Sequence, residues 1–199
     1  MSDPDEVTTT SPTVQHLPRF FVKQHFTVLV NRYTIIEALD DGSEGRLLAF
    51  AQQKRLAMRE KVTFYEDEER TRPLFGFRAR QVIDAAAAYD VTGADGSAIG
   101  SFQKDFAASL IRSSFHLRAP GLEAYGQERS VLVAVLRRVA ELPLPVHFTF
   151  GDTVTGSPVL TSERQLSLRD RYTVEVPDKR VDFRLAASVA VGVDALLGR

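Results

Sequence analysis

Over much of the chain, apolar and polar residues alternate one for one in short stretches separated by turn-forming residues, the rhythm of half-buried strands. Phe20, Val22, Phe26 and Val28 alternate with Lys23, His25 and Thr27, and only Gln24 interrupts the apolar face. The pattern predicts strands over Arg32–Ala38 and Arg46–Gln53, on either side of the turn Asp40-Asp41-Gly42-Ser43-Glu44-Gly45, and over Lys61–Glu66. In Leu74–Ile83 it sets Phe75, Phe77, Ala79 and Ile83 on one side and Arg78 and Arg80 on the other. Ala88–Thr92 and Ser97–Lys104 flank Gly93-Ala94-Asp95-Gly96 as a hairpin. With Ser109–Leu117, Leu122–Gln127, Val146–Phe150, Val159–Leu168 and Arg171–Val176, the strands number about twelve, which points to an antiparallel barrel or sandwich.

Two stretches keep a different period. Glu128–Leu142 places Val131, Leu132, Val135, Leu136 and Val139 at helical spacing, with Arg129, Arg137 and Arg138 off that stripe, and predicts an amphipathic helix. Leu185–Leu197 is apolar except for Ser188, Gly192 and Asp194. It is shorter than the roughly 18 to 20 residues that cross a bilayer, so its all-round apolar surface predicts a helix enclosed by protein. Asp182 is placed to cap it. Barrels wider than about eight strands leave a lumen. At about 1.5 Å per residue this helix spans roughly 20 Å, enough to thread one. The predicted fold is mainly β, a barrel of about twelve antiparallel strands enclosing a hydrophobic C-terminal helix, with one additional amphipathic helix.

Composition narrows the picture. A chain of 199 residues with 44% apolar side chains is long enough for one well-buried core. Residues 1–18 are rich in Ser, Thr, Pro and Asp, hold no Lys or Arg, and read as a disordered segment ahead of a barrel domain over 19–199. They have neither the basic start nor the apolar core of a signal peptide. Lys and Arg together number 25 against 26 Asp and Glu, so no nucleic-acid partner is expected, and any anion binding must come from a local patch. With no cysteine, the chain has no disulfides, thiolate metal sites or cysteine nucleophiles, and a cytoplasmic location is the expectation.

Several segments carry a resemblance in order: Phe20-Phe21-Val22-Lys23-Gln24; Tyr33-Thr34-Ile35 before an acidic-Gly turn; Ala88-Tyr89-Asp90-Val91 before Asp95-Gly96, with Ile99-Gly100 after it; and Val181-Asp182-Phe183-Arg184 running into the apolar helix with Asp194. In this the chain resembles the tubby C-terminal-like superfamily, which includes phospholipid scramblases and the plant LURP-one-related proteins. The resemblance spans about residues 19–199 and implies a twelve-stranded barrel closed around a hydrophobic helix. It also implies a module that binds phospholipid or phosphoinositide head groups at a membrane surface, through basic residues spaced along a strand. Scramblases further carry a cysteine cluster and an acidic calcium loop ahead of the last helix. This chain has no cysteine, and its Pro177-Asp178-Lys179-Arg180-Val181-Asp182 mixes two acids with two bases, too few carboxylates for a calcium loop.

Candidate chemistry is sparse. Arg78 and Arg80 share a strand face and are the candidate phosphate ligands, since a guanidinium offers paired donors; the plainer reading makes them solvated outward residues. Asp194 is a carboxylate on an enclosed helix and needs a hydrogen-bond partner or an arginine; a structural, register-fixing role is expected, with a polar contact to a lumen ligand as the alternative. His16, His25, His116 and His147 form no close pair, and neither a metal nor another cofactor is expected. Gly93, Gly96 and Gly100 fit turn chemistry rather than nucleotide loops, and no Gly-x-Ser-x-Gly elbow is present. No catalytic residues are predicted, and the chain does not read as an enzyme. The leading expectation is a non-catalytic lipid head-group module peripheral to an anionic membrane. The alternative is a soluble protein-interaction or regulatory domain, docking a protein partner through the arginines of Glu128–Leu142 or the acidic run Glu66-Asp67-Glu68-Glu69.

Overall fold

The structure is a computed structural model, and it describes residues 15–26, 30–54, 61–80, 88–105, 113–129, 147–165 and 171–197. Twelve strands run in order: β1 (Arg19–Phe26), β2 (Val30–Ala38), β3 (Glu44–Lys54), β4 (Lys61–Tyr65), β5 (Pro73–Ala79), β6 (Ala88–Gly93), β7 (Ala98–Asp105), β8 (Ser114–Ala119), β9 (Leu122–Glu128), β10 (His147–Asp152), β11 (Pro158–Gln165) and β12 (Arg171–Glu175). Helix α1 (Phe183–Leu197) follows. Every strand pairs antiparallel with its neighbours in sequence, and β1 pairs with β12 from Arg19↔Glu175 to Lys23↔Arg171, so the sheet closes and no strand edge is left open. Register shifts in the ladders at Ile35/Ile36, Val91/Thr92 and Phe150/Gly151 mark irregular points where strands bend as the wall closes.

Strand alternation sends one set of side chains inward: Phe20 and Val22, Tyr33 and Ile35, Val62 and Phe64, Phe75 and Phe77, Phe115 and Leu117, Phe148 and Phe150, Val174, all buried. Gln24 belongs to this inward set and is buried with it. Around α1, Leu185, Ala186, Ala187, Ser188, Val189 and Val191 are buried as well, so the helix is covered on all sides. It packs on β1, β5, β6, β7 and β12. Each fully buried Leu or Val there contributes roughly 1.5–3 kcal/mol.

The fit is between large wall residues and small helix residues. Tyr89 and Phe102 stack with ring centres 4.9 Å apart, Phe77 meets Phe102 edge-on at 5.4 Å, and Phe75 meets Phe183 of the helix at 5.9 Å. The helix that packs on these strands is built of small residues at Ala186, Ala187, Ala190 and Gly192. A Cβ on Gly192 would lie 2.5 Å from the Phe102 ring, and one on Gly100 would lie 2.5 Å from the backbone oxygen of Arg118 and 2.7 Å from Leu185. Both glycines are sites of close approach between helix and wall.

The helix start is tied down by Asp182, which accepts the backbone N–H of Arg184 at 2.9 Å, as an N-cap does, and also the backbone N–H of Gln15 at 2.9 Å. Phe183 N–H bonds Gln15 O and Val176 N–H bonds Pro18 O, so Gln15–Pro18 is docked against the helix entrance. That places ordered chain ahead of the boundary expected at residue 19; residues 1–14 lie outside the described residues. Glu128, the expected start of the amphipathic helix, is instead the last residue of β9 and pairs with Phe148. The inward series Leu122, Ala124, Gly126, Glu128 continues the strand period to that point. The rest of the predicted helix, from 130 on, lies outside the described residues, as do Ser109, Leu168 and Ile83.

The close approach at Gly192 gives a stability test. Alanine is about 1 kcal/mol better than glycine inside a helix, while overpacking a core costs about 1–3 kcal/mol. Because Phe102 is held between Tyr89 and Phe77, the clash outweighs the propensity gain, and Gly192→Ala lowers the urea unfolding midpoint. An unchanged or raised midpoint would place the helix elsewhere than against Phe102.

Candidate functional site

Three polar constellations stand out among the described residues, one inside the barrel and two outside. Inside, Asp194 receives Tyr33 Oη at 2.7 Å on Oδ2 and Tyr172 Oη on Oδ1. Gln24 Nε2 donates to Tyr33 Oη at 3.0 Å, and the Arg164 guanidinium lies 5.7 Å from the centre of the Tyr172 ring. Gln24, Tyr33, Tyr172 and Asp194 thus tie β1, β2, β12 and the last turn of α1 together. Burial pushes the Asp194 carboxyl above its ordinary value; the two tyrosine hydrogen bonds and the charge of Arg164 oppose this without cancelling it. Tyr33 is pushed well up by burial and by Asp194, which holds it as a phenol and therefore as a donor.

At the helix entrance, Arg180 occupies the centre of an acidic pocket. Its Nη2 lies 2.6 Å from Asp152 and 2.7 Å from Asp178, and its Nη1 donates to Gly121 O at 3.0 Å. Asp152 also accepts the backbone N–H groups of Val154 and Thr155, which with Arg180 hold its carboxyl below the usual range. The oxygens that precede the last helix are thus gathered around a side-chain cation of the chain itself.

The third constellation is on the outer face of β4, β5 and β6. Lys61, Arg78 and Asp90 are direct cross-strand partners and line a groove of about 340 Å³ together with Gly76, whose missing side chain lowers its floor, and Thr92. Asp90 pairs not with Arg78 opposite it but with the diagonal Arg80, whose Nε donates at 2.9 and 2.8 Å to its two oxygens and whose Nη2 donates as well. Arg78 is exposed and, among the described residues, has no ion pair. Of the two arginines read from the sequence, one is consumed by a carboxylate and the other stands at the groove. Lys61 and Asp90 were not singled out by sequence reading, since only the strand register brings them beside Arg78.

The acidic run is partly spent within its own turn. Arg72 pairs with Glu66, and Asp67 accepts Thr71 N–H at 3.2 Å and Thr71 Oγ1 at 2.7 Å. His116 lies 3.4 Å from Asp105 and against the Tyr125 ring, and His16 lies 3.4 Å from Val181 O. Among the described residues no cluster of three or more His, Asp or Glu is arranged to hold a metal ion. Comparison with protein-family models, with curated proteins and with solved structures gives no match.

The inner cluster makes stability depend on pH with a definite sign. Because the folded chain holds Asp194 above its ordinary value of 3.8, the proton binds more tightly to the folded state. The associated stability is present below 3.8 and is lost as pH rises through the raised value. The unfolding free energy of Asp194→Asn, which cannot ionise, gains on that of the wild type as pH is raised from acid to neutral. Urea titrations of both across that range check it, and a difference independent of pH would show that Asp194 titrates normally.

Proposed function

We propose that the protein is a non-catalytic module that binds phosphate-bearing phospholipid head groups, of the phosphoinositide type, at an anionic membrane surface through the groove on β4–β6. The observation that carries this reading is the Lys61–Arg78–Asp90 row, in which Asp90 is taken up by Arg80 and Arg78 is left without a carboxylate among the described residues. An exposed guanidinium beside an ammonium in a concave site matches a phosphate in charge and in donor geometry. The resemblance to tubby-like barrels supports the same class of ligand. Association at the surface is the mode proposed, since among the described residues no helix is long and apolar enough to cross a membrane.

With a net charge of −1, binding depends on the patch rather than on the whole molecule. A basic residue near an anionic surface is worth about 1 kcal/mol, so Arg78→Ala weakens binding to vesicles by about fivefold. Co-sedimentation with phosphatidylcholine vesicles, with and without phosphatidylinositol monophosphate, measures this. The expected result is pelleting only with the anionic lipid, reduced in Arg78→Ala and further in the Lys61→Ala/Arg78→Ala double variant, with unfolding midpoints unchanged. Equal pelleting of all three proteins removes the groove from the reading.

A further inference from the structure

We infer that Asp90 is a specificity-determining residue of the groove: it selects a phosphate ester that carries a hydroxyl beside its phosphate and disfavours an unsubstituted one. This rests on the phosphate reading above. Asp90 lines the same groove as Lys61 and Arg78. A lone carboxylate there would repel phosphate, but Arg80 holds it in a two-oxygen grip, with side chains 49% and 45% exposed for Arg80 and Asp90. Each carboxylate oxygen has more than one lone pair, so Asp90 remains an acceptor on the side that Arg80 does not cover.

Charge and spacing agree with that role. Arg80 offsets the charge of Asp90, and Arg78, which has no ion pair among the described residues, supplies positive charge for a phosphate monoester, which is close to dianionic at neutral pH. Adjacent strands lie about 4.8 Å apart, so a phosphate seated between Lys61 on β4 and Arg78 on β5 is about one and a half strand spacings, roughly 7 Å, from the Asp90 row on β6. A neighbouring hydroxyl on the ester bridges that step. An ester without a donor leaves the carboxylate facing the phosphate with its repulsion unrelieved. Arg80 is accordingly a positioning residue that fixes the Asp90 oxygens and offsets their charge.

Affinity for methyl phosphate and for inositol monophosphate, measured on the wild type, Asp90→Ala and Arg80→Gln, tests the inference. The wild type is expected to favour inositol monophosphate by about tenfold, the worth of one hydrogen bond to a charged acceptor. Asp90→Ala frees Arg80, so binding of methyl phosphate strengthens while the preference collapses towards unity. Arg80→Gln leaves Asp90 uncompensated, so both esters bind more weakly and the preference remains. A wild type that binds both esters equally, or a preference that survives in Asp90→Ala, overturns the role of Asp90 while leaving the phosphate reading standing; a wild type that binds neither, in solution or on vesicles, overturns both. Vesicles bearing phosphatidic acid or phosphatidylinositol monophosphate repeat the comparison. Preference on vesicles assigns the ligand to a lipid, and preference in solution alone assigns it to a free ester.

Discussion

Everything in this molecule depends on filling the space that twelve strands enclose. A sheet of that many strands closes to a ring too wide for its own side chains to meet at the axis. An empty lumen would forfeit dispersion contacts along its whole length. The chain supplies its own plug, and wall and plug are complementary in size, since the wall brings phenylalanines and tyrosines while the helix brings alanine and glycine. On the side of β8 to β10 the inner residues are themselves large, with Phe115, Phe148 and Phe150 in contact, and Gly126 leaves the room that the Phe150 ring occupies. One polar cluster interrupts this apolar interior. Asp194 and its two tyrosines fix how far the helix enters, because sliding by a turn would move the carboxylate about 5 Å from its donors and leave it buried without them.

Outside the barrel, the governing question is which charges are already spoken for. Lys23 and Arg171 both reach Glu44, Arg180 serves two aspartates, Arg184 bonds Asp182, and Arg80 grips Asp90. Near-zero net charge is therefore the sum of many local neutralisations rather than an even scatter of ions. On the outer face of β4–β6 Arg78 is left without an ion pair among the described residues, and it lines a concave spot. Positive charge is left where a ligand can reach it.

Most of the architecture was legible because it follows from periodicity. Strand alternation located the wall, and the run of small and branched apolar residues after Asp182 located the plug and its cap. Even Gln24, the one flaw in the apolar face of β1, belongs where the alternation puts it, since its amide donates to Tyr33. Glu128 misled for a complementary reason: it ends a strand and opens a helical pattern, and local sequence cannot say which claim wins at a boundary. The candidate site was half legible. Arg78 and Arg80 are visible as a spaced pair, but whether either is free depends on Asp90, ten or more positions away along the chain and adjacent only once β5 and β6 are in register. Lys61 was hidden in the same way. Cross-strand neighbours are set by turn lengths and bulges, and those leave little trace in the pattern of apolar residues.

The closing ladder between β1 and β12 sets the order of assembly. Every other strand pair joins neighbours along the chain, so eleven ladders can form as each hairpin is made. The seam waits for Arg171–Glu175, and the plug comes later still. Non-local contacts of this kind bear a large loop-closure entropy and slow folding. Until they form, the nascent sheet has two unpaired edges and an uncovered aromatic surface, the combination most prone to pairing with another chain. The feature that leaves the finished barrel without an edge thus makes its unfinished form the vulnerable species, and the last helix acts as the step that commits the fold.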